Sequence, residues 1–420
     1  MKVTSRSFTI TGALAMSAIV LAGCAAPASE PGTGGSGPEE PQFEGSLTVW
    51  VDSDRAGVLE DVAAAFEDER GVSVELITKE FGAIRDDFIT QAPTGNGPDI
   101  IVGAHDWLGK LVQNGVVAPL ELGDAAADFQ QVAVTAMSYE GQTYGLPYSV
   151  ENIALVRNVD IAPEAPATFD DLIAAGQAAV AEGAAEYPFL VGLDPAAADP
   201  YHLYPLQASF GAPVFEITAD GTYDPTTLAL GNEGGEAFAV KLREWGQAGI
   251  LNTNISGDIA REEFVAGKSG YFLTGPWNIP AISEGGINYA IDPIPSAGGE
   301  TATPFVGVQG FFISSESENQ LAANEFLVNY IGTDEVQTAL YEVGGRAPAL
   351  LSAFEAAQSD ADVAAFGAVG AEGVPMPNVP AMDVVWSDWG STEVAIINGQ
   401  GDPVELWRAM VESIQSKITG

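Results

Sequence analysis

Gly95–Leu122 reads G-N-G-P-D-I-I-V-G-A-H-D-W-L-G-K-L-V-Q-N-G-V-V-A-P-L-E-L. A Gly-Asn-Gly-Pro turn leads into the apolar run Ile100-Ile101-Val102, which reads as a buried strand. Gly103 to Trp107 then fall where the strand ends and a helix carrying Leu108 and Leu111 begins. In an open α/β sheet, ligands bind at that end of a strand. Asp106 is an acceptor for hydroxyl groups, and Trp107 beside it offers a flat apolar face with one N–H donor. That pair suits a sugar. On the residues alone a second reading stands equally: Asp106 caps the helix and Trp107 packs in the core.

The same alternation extends upstream. Leu47–Val51 reads as a strand, and Val58, Leu59, Val62, Ala63 and Phe66 then recur at helical spacing. A second strand covers Val72–Ile77, and Phe81, Ile84 and Phe88 share one helical face. Strand and helix in alternation predict a mostly parallel sheet covered on both sides. Two extended passages break the rhythm. Gly141–Leu155 and Pro304–Gln309 read as crossings between lobes. Thr168-Phe-Asp-Asp171 has the form of a capping box, and Asp402-Pro403-Val404-Glu405 has a cap, an N1 proline and an N3 acid. Trp50 and Trp245 sit on regular apolar faces and are expected in the core; Trp407 reads either way.

The chain has 420 residues, enough for two or three domains, and 46% of them are hydrophobic, which supplies a sizeable core. Its formal charge of −43 comes from 58 Asp+Glu against 15 Lys+Arg. Such a chain repels nucleic acid and anionic lipid, and it favours a neutral ligand over an anionic one. The two histidines, His105 and His202, have no H-x-x-x-H or cysteine cluster around them, so no metal or other cofactor is expected. Gly32–Gly37 matches G-x-G-x-x-G without a strand before it or a helix after it, and is rejected as a dinucleotide site. Gly267-Lys268-Ser269 lacks the first glycine of a phosphate-binding loop, because position 262 is Glu262.

Lys2 and Arg6 precede an apolar run, Phe8–Leu21, too short to span a bilayer comfortably. Leu21-Ala22-Gly23-Cys24 follows and resembles a bacterial lipobox. The resemblance implies a signal segment over 1–23 and a lipid on Cys24, the lone cysteine and thus no disulfide partner. Residues 24–44 are rich in Pro, Gly and Ser and read as a tether.

Three blocks, Gly95–Leu122, Tyr144–Leu155 and Gly275–Ile279, resemble the maltose/maltodextrin-binding proteins of bacterial ABC importers, with weaker similarity over nearly all of residues 46–420. The resemblance implies an α/β, two-lobed, periplasmic-binding-protein-like fold, each lobe a sheet flanked by helices, with a ligand cleft at a hinge. The expected lobes are 45–150 with 305–350, and 151–304 with 351–420. The implied function is to close on a maltodextrin-like oligosaccharide and deliver it to a membrane permease, as a lipid-anchored monomer outside the cell and not as an enzyme. Positions matching the family's binding motifs are Asp54, Arg55, Asp106, Glu151, Tyr201, Trp277 and Trp386. Lys79 and Glu80 lie in a region of polar contacts, and Trp107, Asp199 and Trp389 join the candidate set. Asp106-Trp107 stands where well-known members have Asp-Arg, Asp199 where they have Glu, and Gly390 where they have Arg. These departures leave sugar length and linkage open. The alternative readings are a secreted glycoside hydrolase acting on α-glucans, using acids such as Asp106 and Glu151, and the same binding fold for another oligosaccharide.

Overall fold

The computed structural model describes residues 43, 45–217 and 223–419. Cys24, the expected signal segment and all of the expected tether except Phe43 lie outside the described residues. Phe43 packs against the first core.

β1 (Ser46–Val51) ends at Asp52, whose carboxylate accepts the N–H groups of Asp54 and Arg55 and so starts α1 (Ser53–Arg70). Gly71, at φ +74°, stops that helix. β2 (Ser73–Thr78), α2 (Phe81–Gln91), β3 (Ile100–Ala104), α3 (Leu108–Gln113) and β4 (Val117–Ala118) follow. β1 runs parallel to both β2 and β3, as helical crossovers require. Every residue of β3 is buried, which explains its unbroken apolar run.

β5 (Gly145–Asn152) then leaves the first sheet, and Ile153 alone separates it from β6 (Ala154–Asn158) in a second sheet. There α4 (Phe169–Ala181) opens on the expected capping box between Thr168 and Asp171. β7 (Leu190–Val191), α5 (Pro200–Ala208), α6 (Glu233–Gln247), α7 (Gly257–Val265), β8 (Tyr271–Thr274) and β9 (Tyr289–Asp292) complete this part, with sheet order β9-β6-β8-β7. β10 (Phe305–Ser314) returns to the first sheet. After it come α8 (Asp334–Gly344), β11 (Ala347–Pro348), β12 (Val374–Pro375), α9 (Ala381–Ile397) and α10 (Pro403–Thr419), the last begun by Asp402 accepting from Val404 and Glu405. The first sheet has the order β11-β5-β10-β3-β1-β2, with β4 and β12 also paired to β10.

The expected mostly parallel sheet needs correction. β10 is antiparallel to β3 and β5, and β6 is antiparallel to β8 and β9. The cause is the route of the chain: strands that cross from one sheet to the other enter from the opposite direction.

Burial shows why the molecule has two lobes. Ile101, Tyr148, Val308 and Phe312 belong to one core, whereas Ile153, Leu155, Phe305 and Trp389 belong to another. A smaller cluster holds Val156, Phe264 and Phe272. Tyr148 and Ile153 lie on one continuous run, and Phe305 and Val308 on its partner, so both passages change cores within a few residues. Trp50 and Trp245 are buried, as expected. Gln320–Phe326 is α-helical, and Leu327–Ile331 continues it as a π turn.

Trp407 is fully buried in the second core, and its Nε1–H donates to the Leu230 carbonyl at 2.9 Å. Trp407→Ala is therefore expected to cost about 3–5 kcal/mol of stability, from the cavity and the lost hydrogen bond. Urea unfolding followed by circular dichroism measures it; an unchanged midpoint would remove Trp407 from the core.

Candidate functional site

The floor of the space between the lobes is built on the paired strands. Glu151 of β5 stands opposite Gly307 of β10. Its Oε1 accepts from Gln309 Nε2 at 2.9 Å, and its Oε2 accepts from Arg346 Nε at 2.5 Å. Arg346 follows Gly345, which ends α8 at φ +65°; a Cβ there would lie 2.5 Å from the Pro276 carbonyl oxygen. Only glycine lets this turn dock on the Gly275-Pro276 turn opposite. Arg346 then lies over the Trp277 ring at 5.3 Å. One guanidinium thus joins the crossing strand to an aromatic plate carried by the other lobe.

The strand-end reading of the opening stretch holds as geometry. β3 runs into a single 3-10 turn, His105–Trp107. Asp106 Oδ2 accepts from Trp386 Nε1 of α9 at 3.3 Å, while Oδ1 is out of solvent and has no protein partner. Burial holds the Asp106 carboxyl above its ordinary pKa. Trp107 is nearly buried in the first core and packs on Phe81 at 4.9 Å. A Cβ on Gly103 would come within 2.5 Å of its ring, so the glycine makes room for the indole. Most of the Trp107 ring is core, and the remainder lines the cleft.

His105 is structural. Its Nδ1 accepts from the Val308 N–H at 3.0 Å, so Nε2 carries the proton and donates to the Met376 carbonyl at 3.0 Å. The ring thereby ties the end of β3 to β10 and to the segment after β12. Burial pushes its pKa down, outweighing nearby carboxylates that push it up.

These elements enclose a cleft of about 550 Å³, within the range of small-molecule sites. It brings together Asp106, Trp107, Glu151, Asp199, Tyr201, Trp277 and Trp386, seven residues expected from sequence. The Tyr201 hydroxyl is out of solvent without a protein partner, and burial first, then the Glu151 and Asp199 charges, push its pKa well up, so it stays a neutral donor and acceptor. Asp199 caps α5 through His202 N–H at 3.1 Å and accepts from His202 Nδ1 at 2.7 Å. Gln309 Oε1 is a further buried, unpartnered acceptor. At the rim, Arg85 and Lys110 of the first lobe reach Asp383 of α9 at 3.2 Å and 2.9 Å.

Four candidates lie elsewhere. Trp389 is fully buried behind Trp386, stacked on it at 5.5 Å and 11°, so it supports the cleft wall without lining it. Arg55 is buried against Asp52 and the Tyr148 hydroxyl, 5.2 Å from the Phe81 ring, and stands behind the cleft. Glu80 is exposed at the start of α2, and its neighbour Lys79 pairs with Asp87 at 2.5 Å. Asp54 is exposed and lines a larger groove, about 890 Å³, between α1 and α8. That groove is helix surface, without the convergent buried polar groups of the cleft.

Arg346, Phe81, Arg85, His202, Gln309 and Met376 also line the cleft and were not among the sequence candidates. Only Arg346 had a usable signal: a rare cation in an acidic chain, set directly after two glycines. Among the described residues, no group of three His, Cys, Asp or Glu could hold a metal, and no helix is long and apolar enough to cross a membrane.

The sequence pattern of the family described as "Bacterial extracellular solute-binding protein" matches residues 61–367. The chain is 26% identical to the galactooligosaccharide-binding protein of Bacillus subtilis, over 89% of each chain. It is also 26% identical to a maltooligosaccharide ABC transporter solute-binding lipoprotein of Streptococcus pneumoniae, over 94% of this chain and 93% of that one. Among solved structures, a Thermus thermophilus maltotriose binding protein bound with maltotriose superposes with a TM-score of 0.80 at 31% identity, covering 89% of this chain and all of that one.

The buried, neutral His105 gives a pH test. A depressed folded pKa means the unfolded chain takes up a proton first, near 6.5, so the stability this group contributes is complete above that value and declines as pH falls through it. The stability difference between wild type and His105→Phe should shrink from pH 7.5 to 5.5, measured by urea unfolding at each pH. A difference that grows on acidification would contradict a neutral buried imidazole.

Proposed function

The chain belongs to the bacterial extracellular solute-binding protein family, and from that premise we propose that it is the receptor of an ABC sugar importer, closing on a maltodextrin-type oligosaccharide. The observation that carries this reading is the convergence, in one inter-lobe cleft, of Trp277, Trp386 and Tyr201 with the buried oxygens of Asp106, Tyr201 and Gln309. Aromatic faces suit the C–H surfaces of pyranose rings, and buried acceptors without protein partners suit hydroxyls. The relatives named for malto- and galactooligosaccharides support the class.

The hinge is the β5/β10 pair, and the lobes are 45–150 with 305–350 and 151–304 with 351–420. Ligand favours the closed form by touching both lobes at once, Asp106 from one and Trp277, Tyr201 and Trp386 from the other. The cleft carboxylates act as acceptors and not as a hydrolytic pair. Glu151 is held by Arg346 and Gln309, and Asp199 by His202 and its helix cap. As a member of an extracellular family the protein works outside the cytoplasm. We further propose that it is a monomer held to the outer face of the cell membrane by lipid on Cys24 and that it delivers sugar to permease subunits.

Calorimetry against maltose, maltotriose, longer dextrins and galactooligosaccharides tests the class. Binding of a dextrin without release of glucose is expected; hydrolysis, or tight binding of galactooligosaccharides alone, contradicts it. Trp277→Ala should lose ~2 kcal/mol of binding, about thirtyfold in Kd, with a near-normal melt in the absence of sugar. Undiminished affinity would remove Trp277 from the site.

A further inference from the structure

The cleft does not end at Trp277. A second chamber of about 210 Å³ shares Asp199, His202 and Trp277 with it. These three side chains therefore form a partition with the main cleft on one side and the chamber on the other. Trp277 meets His202 edge-on, at 5.8 Å and 88°, so the partition is one ring edge thick. The chamber is smaller than sites that hold a whole drug-sized ligand. It has room for a fragment of something already bound in the cleft.

Its walls mix apolar faces, Leu193, Phe272 and Trp277, with polar groups. The Thr274 hydroxyl accepts from Asn278 Nδ2 at 2.8 Å, which leaves its own O–H to donate. Ser256 and Asp194 complete the polar set, with Asp194 exposed at the outer end. His202 donates from Nδ1 to Asp199, and its Nε2 makes no hydrogen bond among the described residues, which leaves a polar ring nitrogen at the partition. Asp194 and Asp199 together disfavour an anion, and neither Lys nor Arg lines the chamber. Donors and acceptors beside apolar faces, without Lys or Arg, suit a neutral polyhydroxylated ring.

The backbone is bent to make this space. Ala198 is buried at φ +45°, a conformation rare for a residue with a side chain. It is held there by reciprocal bonds with Asp194, the Asp194 N–H donating to the Ala198 carbonyl at 3.0 Å and the Ala198 N–H to the Asp194 carbonyl at 2.8 Å. That closed loop sets Ala198 and Asp199 as the chamber's edge.

We infer that the chamber is a subsite for one further pyranose residue of a longer oligosaccharide, reached past the Trp277–His202 edge and open to solvent at Asp194. The inference rests on the sugar-binding reading above and adds a determinant of chain length. Gly257 lines the chamber and not the cleft, and a Cβ on it meets nothing within 4 Å. Gly257→Phe should fill the space and leave the cleft untouched. Titration calorimetry of wild type and G257F with maltose through maltoheptaose should show short dextrins binding alike, and dextrins beyond one length losing about tenfold in affinity on the variant. Thr274→Val, which changes the wall without adding bulk, should weaken the same long dextrins and carries the test if G257F does not melt like wild type. Equal ladders for wild type and both variants, or an equal loss at every length, would overturn the subsite. Wild type that binds no dextrin would overturn the sugar reading itself, and the two failures are told apart by wild type alone.

Discussion

Seven register pairs between Gly145–Asn152 and Phe305–Ser314 hold the two crossings of the chain side by side. The rest of the architecture depends on this antiparallel ladder. Each strand has one end in the first core and the other end in, or one residue short of, the second. The two cores stop on either side of the paired residues Glu151 and Gly307. The same pairing delivers Glu151 and Gln309 to the floor of the cleft, so the ladder that joins the lobes also supplies the first polar groups of the site. His105 clips the ladder to the end of Ile100–Ala104, and Arg346 clips it to Trp277.

The electrostatics follow from composition. With 58 acids against 15 Lys and Arg, each cation has many possible partners, and the site uses very few. Arg346 is mostly buried against Glu151; burial pushes its pKa down, but Glu151, Tyr148 and Asp52 together more than offset that cost, so the guanidinium stays charged. Removing either partner would strand a charge out of water, which costs far more than an exposed pair contributes. Asp106 has no such cation in contact, and burial raises its pKa. A hydroxyl ligand suits that group better than an anion, in keeping with the charge of the whole chain.

Local grammar was largely readable. The capping box at Thr168, the start at Asp402, the buried run Ile100–Val102 and the two crossings are short-range patterns of residue type, and the structure contains them. Of the seven candidate site residues that meet in the cleft, Asp106, Trp107, Asp199, Tyr201 and Trp277 each follow a turn or strand end, whereas Glu151 lies within β5 and Trp386 within α9. The misses have long-range causes. Trp389 sits one helical turn from Trp386, and only packing decides which indole faces the cleft and which lies behind it. Arg55 is drawn inward by Tyr148, 93 residues away in sequence. Arg346 reaches the site from residue 346 because α8 ends on Gly345, whose αL turn gives no hint of its partner at Pro276. The direction of β10 and β6 depended on where the chain crosses, which alternation of strands and helices does not encode.

We propose that the inter-lobe cleft, and not the larger groove between α1 and α8, holds an oligosaccharide. A crystal structure of the protein grown with maltotriose tests it most directly. Sugar density is expected packed on Trp277 and Trp386, with a hydroxyl within hydrogen-bond distance of Asp106 Oδ1. Sugar bound along the α1–α8 groove, with the cleft holding none, would contradict it.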